Sequence, residues 1–182
     1  MGNTTQHLLN QESEAGKSNV KTVLIVFFNT DGLVHHEYIP RGQTVNKEFY
    51  KTVLQCLHDA VRGHRPEKLR SGNWILHHDN APAHRAVTTN IFLVKHNIPS
   101  LPHPPYSPDL APCDIILFSQ LKKTMKGRRF DDIEKIQANL MRQMRAITKS
   151  DYQRCFSQWQ EHLIHAYKHK DTTPKETRPT SH

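Results

Sequence analysis

The sequence has few cysteines and no long apolar run. Its three cysteines, Cys56, Cys113 and Cys155, lie far apart and form no C-x-x-C pair. This pattern argues against a disulfide framework or a structural zinc site, and it favours a reducing compartment, the nucleus or the cytosol. No apolar stretch is long enough to span a membrane, and the N-terminal residues lack the apolar segment of a signal peptide.

Acidic residues are also comparatively scarce. The chain of 182 residues has 17 acidic against 25 basic side chains, which gives a formal net charge of +8. Such a balance favours a polyanionic partner, and nucleic acid is the first candidate. Charge alone leaves open a basic soluble protein without such a partner. The length is enough for one domain with its own hydrophobic core.

The hydrophobic pattern predicts an α/β domain from about residue 21 to residue 168, between a loose polar tail at 1–20 and a polar tail at 169–182. Strands are predicted at 22–28 and 33–39, joined as a hairpin by Asn29-Thr30-Asp31-Gly32. Further strands are predicted at 74–78 and 98–101. Helices are predicted from Thr44, at 81–96, at 112–125, from Asp131 or Asp132, and from Ser150 or Asp151. This order indicates helices packed on a mixed sheet.

The segment HHDNAPAHRA, residues 77–86, places Asp79 at the end of a predicted strand. Asp114, after SPDLAPC, lies in the first turn of a predicted helix. Sites of α/β sheets form at such strand ends, and paired carboxylates hold divalent cations that can activate water at a phosphodiester. The residues therefore suit a nuclease or strand-transfer enzyme. Either aspartate could instead be an ordinary helix cap.

Histidines and basic residues supply candidate contacts to nucleic acid. His77 and His78 are adjacent in a strand and point to opposite faces, so we expect one to line the site or contact phosphate and the other to pack. Zinc binding by these histidines is not expected. The basic run could contact phosphates or could be a solvated helix end. The candidate nucleic-acid-binding residues are His78, Asn80, His84, Lys122, Lys123, Lys126, Arg128 and Arg129.

Two motifs together closely resemble the catalytic core of mariner-type transposases of the Tc1/mariner superfamily. They are HHDNAPAHRA and HPPYSPDLAPCDIILFSQLKKTMKGRRF, with thirty-four residues between Asp79 and Asp114. The segment VLIVFFNTDGLVHHEYIPRGQTVNKEFY resembles the preceding hairpin and helix. The resemblance implies an RNase H-like fold and a DDE/DDD endonuclease that cleaves and transfers DNA strands with two Mg²⁺ or Mn²⁺ ions. Asp79 would be the second catalytic metal ligand and Asp114 the third.

The chain departs from the family pattern at its N-terminal end. The family's first aspartate lies in a TGDE-like motif on the central strand, and this sequence has no such motif. The resemblance also implies that the family's helix-turn-helix domains are missing. The resemblance thus implies an N-terminally truncated domain without the first, central strand, and impaired cleavage. The alternative is a non-catalytic, domesticated DNA-binding remnant. DNA and a second copy of the chain are the expected partners, in the nucleus, with no membrane and no small-molecule substrate.

Overall fold

The computed structural model describes residues 2–12, 21–72, 74–101, 121, 123 and 132–171, with the backbone alone for 2–12, 21–22 and 165–171. The strands are β1 (Gly2–Glu12), β2 (Lys21–Asn29), β3 (Gly32–Ile39), β4 (Trp74–His77) and β5 (Ser100–Leu101). The helices are α1 (Lys47–His64), α2 (Pro66–Ser71), α3 (Val87–Lys95), α4 (Ile133–Ala146) and α5 (Lys149–Asp171).

The strands form one mixed sheet in the order β3-β2-β1-β4-β5. β1 is the central strand: it pairs antiparallel with β2, where Leu9 lies opposite Leu24, and parallel with β4, where Thr5 lies opposite His77. β4 pairs parallel with β5. The β1–β4 pair brings the N-terminal segment beside the segment that carries Asp79.

The central strand corrects two predictions, namely that residues 1–20 form a loose tail and that the first strand of the fold is missing. Residues 2–12 form that strand. The sequence GNTTQHLLNQE contains only two large apolar residues, Leu8 and Leu9, so neither periodicity nor β-branched enrichment signals a strand. Its place depends on backbone pairing with neighbours on both sides, which side-chain pattern alone does not reveal.

The predicted hairpin of β2 and β3 is confirmed. Asn29 begins the turn, and its Oδ1 accepts a hydrogen bond from the Asp31 amide at 2.8 Å. Gly32 closes the turn with φ of 121°, a backbone conformation that disfavours a side chain. The register between β2 and β3 shifts at Phe27/Phe28.

One face of the sheet packs against α4 and α5. Leu24, Val26 and Phe28 of β2 alternate toward this face and are at most 1% exposed. They form one cluster with the buried residues of the two helices and with Leu121. The helical members are Ile136, Leu140, Met144, Tyr152, Cys155, Phe156 and Trp159. The α4 helix begins after Asp132, whose Oδ1 accepts from the Lys135 amide at 2.7 Å, so the predicted start is confirmed.

The opposite face packs against α1 and α3. Ile25 and Phe27 of β2 lie in a second cluster with the apolar stripe of α1 and with residues of β4 and α3. The other main members are Tyr50, Val53, Leu54, Leu57, Val61, Trp74, Leu76, Phe92 and Leu93. The sheet is therefore the middle layer of three. α1 is capped by Asn46, whose Oδ1 accepts from the Phe49 amide at 2.8 Å, and not by Thr44 as predicted.

Several predicted boundaries were wrong. Residues 63–73, predicted as loop, contain α2. The helix predicted at 81–96 begins only at Val87, after turns at residues 82–85. The last helix, for which only the start was predicted, continues to Asp171. The helix predicted at 112–125 lies outside the described residues except for Leu121 and Lys123, both helical. Among the described helices, none is both long and apolar enough to cross a membrane.

Candidate active site at the end of β4

The short strand β4 delivers its polar residues to the C-terminal edge of the sheet. Trp74 and Leu76 are buried on the face covered by α1. His77 points to the other face, where its ring lies 5.0 Å from that of Trp159 and its Nδ1 lies 3.3 Å from the Leu101 carbonyl oxygen. The prediction that one histidine of the pair packs is confirmed for His77, which is 2% exposed.

His78 lies on the α1 side, against Tyr50. The Tyr50 hydroxyl lies 3.0 Å from His78 Nδ1. Burial, followed by the nearby His84 and His77, lowers the pKa of His78 to about 4. The imidazole is therefore neutral at pH 7, so its Nδ1 can accept the tyrosine proton. Burial, followed by the charge of Asp79, raises the pKa of Tyr50 far above its usual range, which keeps that hydroxyl protonated as the donor.

Asp79 is held in place by residues that follow it in the chain. Its Oδ1 accepts hydrogen bonds from the Ala81 amide at 2.9 Å and from His84 Nδ1 at 2.6 Å. The His84 ring is 2% exposed, stacks parallel to His78 at 5.2 Å and lies 4.1 Å from the ring of Tyr50. The side chain of Asp79 is 43% exposed. One carboxylate edge is thus fixed by the protein, while the residue remains accessible to solvent.

The central strand passes beside this edge without supplying a carboxylate. The β1–β4 pairing ends at Thr5 opposite His77, and counting two residues further along each segment sets His7 against Asp79. No aspartate or glutamate occurs from Gly2 to Gln11. Glu12 lies five positions further along β1, which at 3.3 Å per residue is roughly 16 Å from the level of Asp79.

The structure sorts the other predicted site residues into three groups. Asn80 and Lys123 are exposed, as a contact to nucleic acid requires. His84 is buried and bonded to Asp79, so its placement argues against direct contact with DNA and in favour of a role in positioning Asp79. The remaining candidates, including the second proposed metal ligand, lie outside the described residues. These are Asp114, Lys122, Lys126, Arg128 and Arg129.

Tyr50 is the residue of this site that the sequence did not reveal. It lies on α1 at a position of the apolar stripe, where a tyrosine is most simply a core residue. Tyr50 and His78 are 28 positions apart in the sequence. The one available signal for Tyr50 was the hydroxyl group, since a buried tyrosine hydroxyl usually has a hydrogen-bond partner.

Comparisons of the sequence and of the structure with known proteins point to the same family. Residues 5–71 match the family model of the transposase partial DDE domain. The Mariner Mos1 transposase of Drosophila mauritiana is 39% identical over 117 residues, which are 64% of this chain and 34% of that protein. Human histone-lysine N-methyltransferase SETMAR is 31% identical over 110 residues, 60% of this chain and 16% of that protein. The matched region thus spans 34% of the first protein and 16% of the second.

Solved structures of the Mos1 catalytic domain match over most of the chain. One crystal structure has a TM-score of 0.80 and 31% identity, covering 89% of this chain and 78% of that one. A second, solved with Raltegravir and Mn, has a TM-score of 0.83 and 29% identity, covering 95% and 84%. The β1-centred sheet therefore matches an RNase H-like catalytic domain, and the chain belongs to the mariner transposase family.

Proposed function

We propose that this chain is a mariner transposase-derived DNA-binding protein whose metal-dependent strand cleavage is absent or very weak. The observation that carries the proposal is the pairing of β1 with β4. The central strand of the fold is in place beside Asp79, yet the ten residues from Gly2 to Gln11 contain no carboxylate. The strand needed for the fold has thus been kept, and an acidic ligand from it has not.

The described donors do not fit a pair of divalent ions. Solved Mos1 catalytic domains contain Mn or Mg, and hard cations of this kind prefer several oxygen ligands. Here Asp79 is the carboxylate at the strand end, and one of its oxygens already accepts two hydrogen bonds. Within the described residues it belongs to no group of three metal-ligating side chains. Asp114 could add a second carboxylate, but two ions would still lack the ligand expected from β1.

The net charge and the relatives support the proposed DNA binding. The chain carries a net charge of +8, and solved Mos1 structures include paired-end and strand-transfer complexes. Asn80 and Lys123 are exposed, and basic residues are frequent in the sequence from Lys122 to Arg129. We expect contacts to the phosphate backbone, a nuclear location, and assembly as a homodimer.

The second candidate function is a non-catalytic, domesticated DNA-binding protein. Its support is the similarity to a segment of SETMAR, a protein named as a histone-lysine N-methyltransferase. A mariner-type segment therefore occurs in a protein with a different named activity. The two candidates differ in one measurable respect, which is whether strand cleavage that depends on Asp79 appears when a carboxylate is placed on β1.

A nicking assay on supercoiled plasmid separates them. The unaltered chain, Asp79→Asn and His7→Asp should be compared with Mg²⁺ and with Mn²⁺, and Thr5→Asp should serve as a second placement of a carboxylate on β1. We expect little or no nicking by the unaltered chain and a gain in His7→Asp or Thr5→Asp that Asp79→Asn cancels. Strong Mg²⁺-dependent nicking by the unaltered chain that Asp79→Asn abolishes would overturn the proposal. Nicking in no variant would favour the non-catalytic candidate.

A further inference from the structure

A group of three side chains that could bind a metal ion lies at β3, an edge strand that β2 and β1 separate from β4. His35 and Glu37 are two residues apart in β3, so both side chains project from the same face. That face is the one covered by α1, because His35 lies opposite Phe27 and Glu37 opposite Ile25, both of which pack in the α1 cluster. Cys56 of α1 completes the group, and one ligand atom from each residue lies within 4.8 Å of the other two.

The chemistry of the three side chains suits a borderline-soft divalent cation. Imidazole nitrogen, carboxylate oxygen and thiolate sulfur are the three ligand types that proteins use for Zn²⁺. A neutral imidazole, a carboxylate and a thiolate together neutralise the two positive charges of the ion. A hard cation such as Mg²⁺ would not select the thiolate. The ligand set therefore differs in kind from the carboxylate site at the end of β4.

The geometry is close to that of a zinc site before the ion enters. Zinc lies about 2.0–2.3 Å from its ligands, which places tetrahedral ligand atoms about 3.3–3.8 Å apart. His35 Nε2 and Glu37 Oε1 are 2.9 Å apart. To bind an ion, these two atoms would have to move apart by less than about 1 Å. Their side chains are 19% and 34% exposed, and β3 is an edge strand. An ion can thus reach the group from solvent, and water can occupy a fourth position.

We propose that His35, Glu37 and Cys56 form a zinc-binding site, with water as the fourth ligand, that joins β3 to α1. The site is independent of the proposed DNA function. Its ligands come from a strand and a helix separated by a loop, so the ion would cross-link two elements. Sequence spacing gives no sign of it, because two residues of the strand and one of the helix match none of the short motifs by which zinc sites are recognised.

Calorimetric titration of the full chain with Zn²⁺ under reducing conditions tests the proposal. We expect one ion to bind, and we expect Cys56→Ser and Glu37→Gln each to weaken binding by more than about 100-fold, since even the loss of a partner of a metal ligand costs 10–100-fold. With Co²⁺ as the probe, the unaltered chain should show a thiolate-to-cobalt charge-transfer band that is absent in Cys56→Ser.

Two variants are matched controls. His36→Asn removes the neighbouring imidazole, which points to the other face of β3, and Asp79→Asn alters the carboxylate at the end of β4. Both should bind Zn²⁺ like the unaltered chain. The proposal is overturned if no zinc binds, if Cys56→Ser leaves affinity and the cobalt spectrum unchanged, or if Asp79→Asn abolishes binding. Circular dichroism of each variant without metal shows whether a loss of binding reflects loss of the fold.

Discussion

At the scale of single residues, His78 makes the stability of the fold depend on pH. Its pKa is about 4 in the folded chain against 6.5 for an ordinary histidine, because burial disfavours the charged ring. Between these values the unfolded chain binds a proton that the folded chain does not. The free energy of unfolding therefore falls as pH is lowered from 6.5 to 4, by as much as about 3 kcal/mol from this residue.

Urea denaturation at pH 7 and at pH 4.5 measures this loss, and His78→Gln is the test variant. The variant should be less stable than the unaltered chain at pH 7 and should lose less stability on acidification. His36 also has a pKa lowered by burial, so it contributes in the same direction and remains in both proteins. An equal pH dependence in the two proteins would contradict the assignment to His78.

His84 fixes the position of Asp79, so we expect His84→Ala to destabilise the fold. The change removes the hydrogen bond to Asp79 Oδ1 and leaves a cavity beside Tyr50. Losing a buried polar side chain of this size should lower the free energy of unfolding by about 2 kcal/mol. Chemical denaturation at pH 7 measures the loss. Arg85→Ala, at the exposed position next to His84, is the control and should change stability by less than about 0.5 kcal/mol.

The candidate site could be predicted from sequence only where the chemistry is local. Asp79 was identified because its motif marks a strand end, and the opposite orientations of His77 and His78 follow from strand geometry. The bond from His84 to Asp79 was not predicted, because a helix was expected where the chain makes turns at residues 82–85. The role of Tyr50 could not be predicted, since it depends on how α1 packs across the sheet.

At the scale of elements, Asp31 connects the β2–β3 turn to two helices. Its carboxylate lies 2.9 Å from Lys149 Nζ, 3.0 Å from Lys68 Nζ and 3.1 Å from Arg65 Nη1. Hydrogen bonds from Lys149 and then from Lys68 lower its pKa to about 2. The stabilisation is present above pH 3.8 and is lost as pH falls toward 2. Buried Asn29 supports the group, since its Oδ1 accepts from Arg65 at 2.7 Å.

Asp31→Asn should lower the free energy of unfolding by about 1 kcal/mol at pH 7, because it leaves three cations facing one another at a partly solvated position. Urea denaturation at low and high salt measures the effect. The difference from the unaltered chain should shrink below pH 3. Asp59→Asn, which removes an exposed pair with Arg62, is the control. A loss no larger than that of the control would show that the three contacts contribute little.

β1 should be the element least tolerant of proline. Leu9 lies in the part of β1 that pairs with β2, opposite Leu24, and Leu9→Pro removes an amide from the central strand. We expect a loss of cooperative unfolding, with the edges of β2 and β4 exposed. Leu9→Val keeps the amide and should unfold cooperatively. Thermal unfolding followed by circular dichroism distinguishes the outcomes. Cooperative unfolding of the proline variant would mean that β1 is dispensable.

The elements that could be predicted are those whose apolar residues mark the side that packs in the core. α1, α4 and α5 each carry a regular apolar stripe and β2 is a continuous apolar run, so each was predicted within a few residues. β3 was predicted from the turn residues that precede it. β1 and α2 were missed for different reasons. β1 is polar in sequence and depends on its neighbours for pairing, whereas α2 has no buried residue and therefore no apolar stripe to indicate it.

At the scale of the whole molecule, excess positive charge should make DNA binding strongly dependent on salt. Each neutralised phosphate contributes a slope of about −0.9 in a plot of log K against log salt concentration. Fluorescence anisotropy with duplexes of unrelated sequence measures the slope. Lys123→Ala should reduce its magnitude by about one. Lys47→Ala, in an exposed pair with Glu48, is the control. DNA affinity that does not change with salt concentration would contradict the proposed contacts to the phosphate backbone.

The central position of β1 also determines the order in which the chain can fold. The β2–β3 hairpin is local and can form within microseconds. β1 can then add to β2, but its second neighbour, β4, pairs Gly2 with Trp74. Until residues beyond Trp74 have left the ribosome, one edge of β1 stays open to other chains. Synthesis at about 5–20 residues per second keeps that edge open for seconds, so slower elongation between β3 and β4 should increase aggregation of the nascent chain.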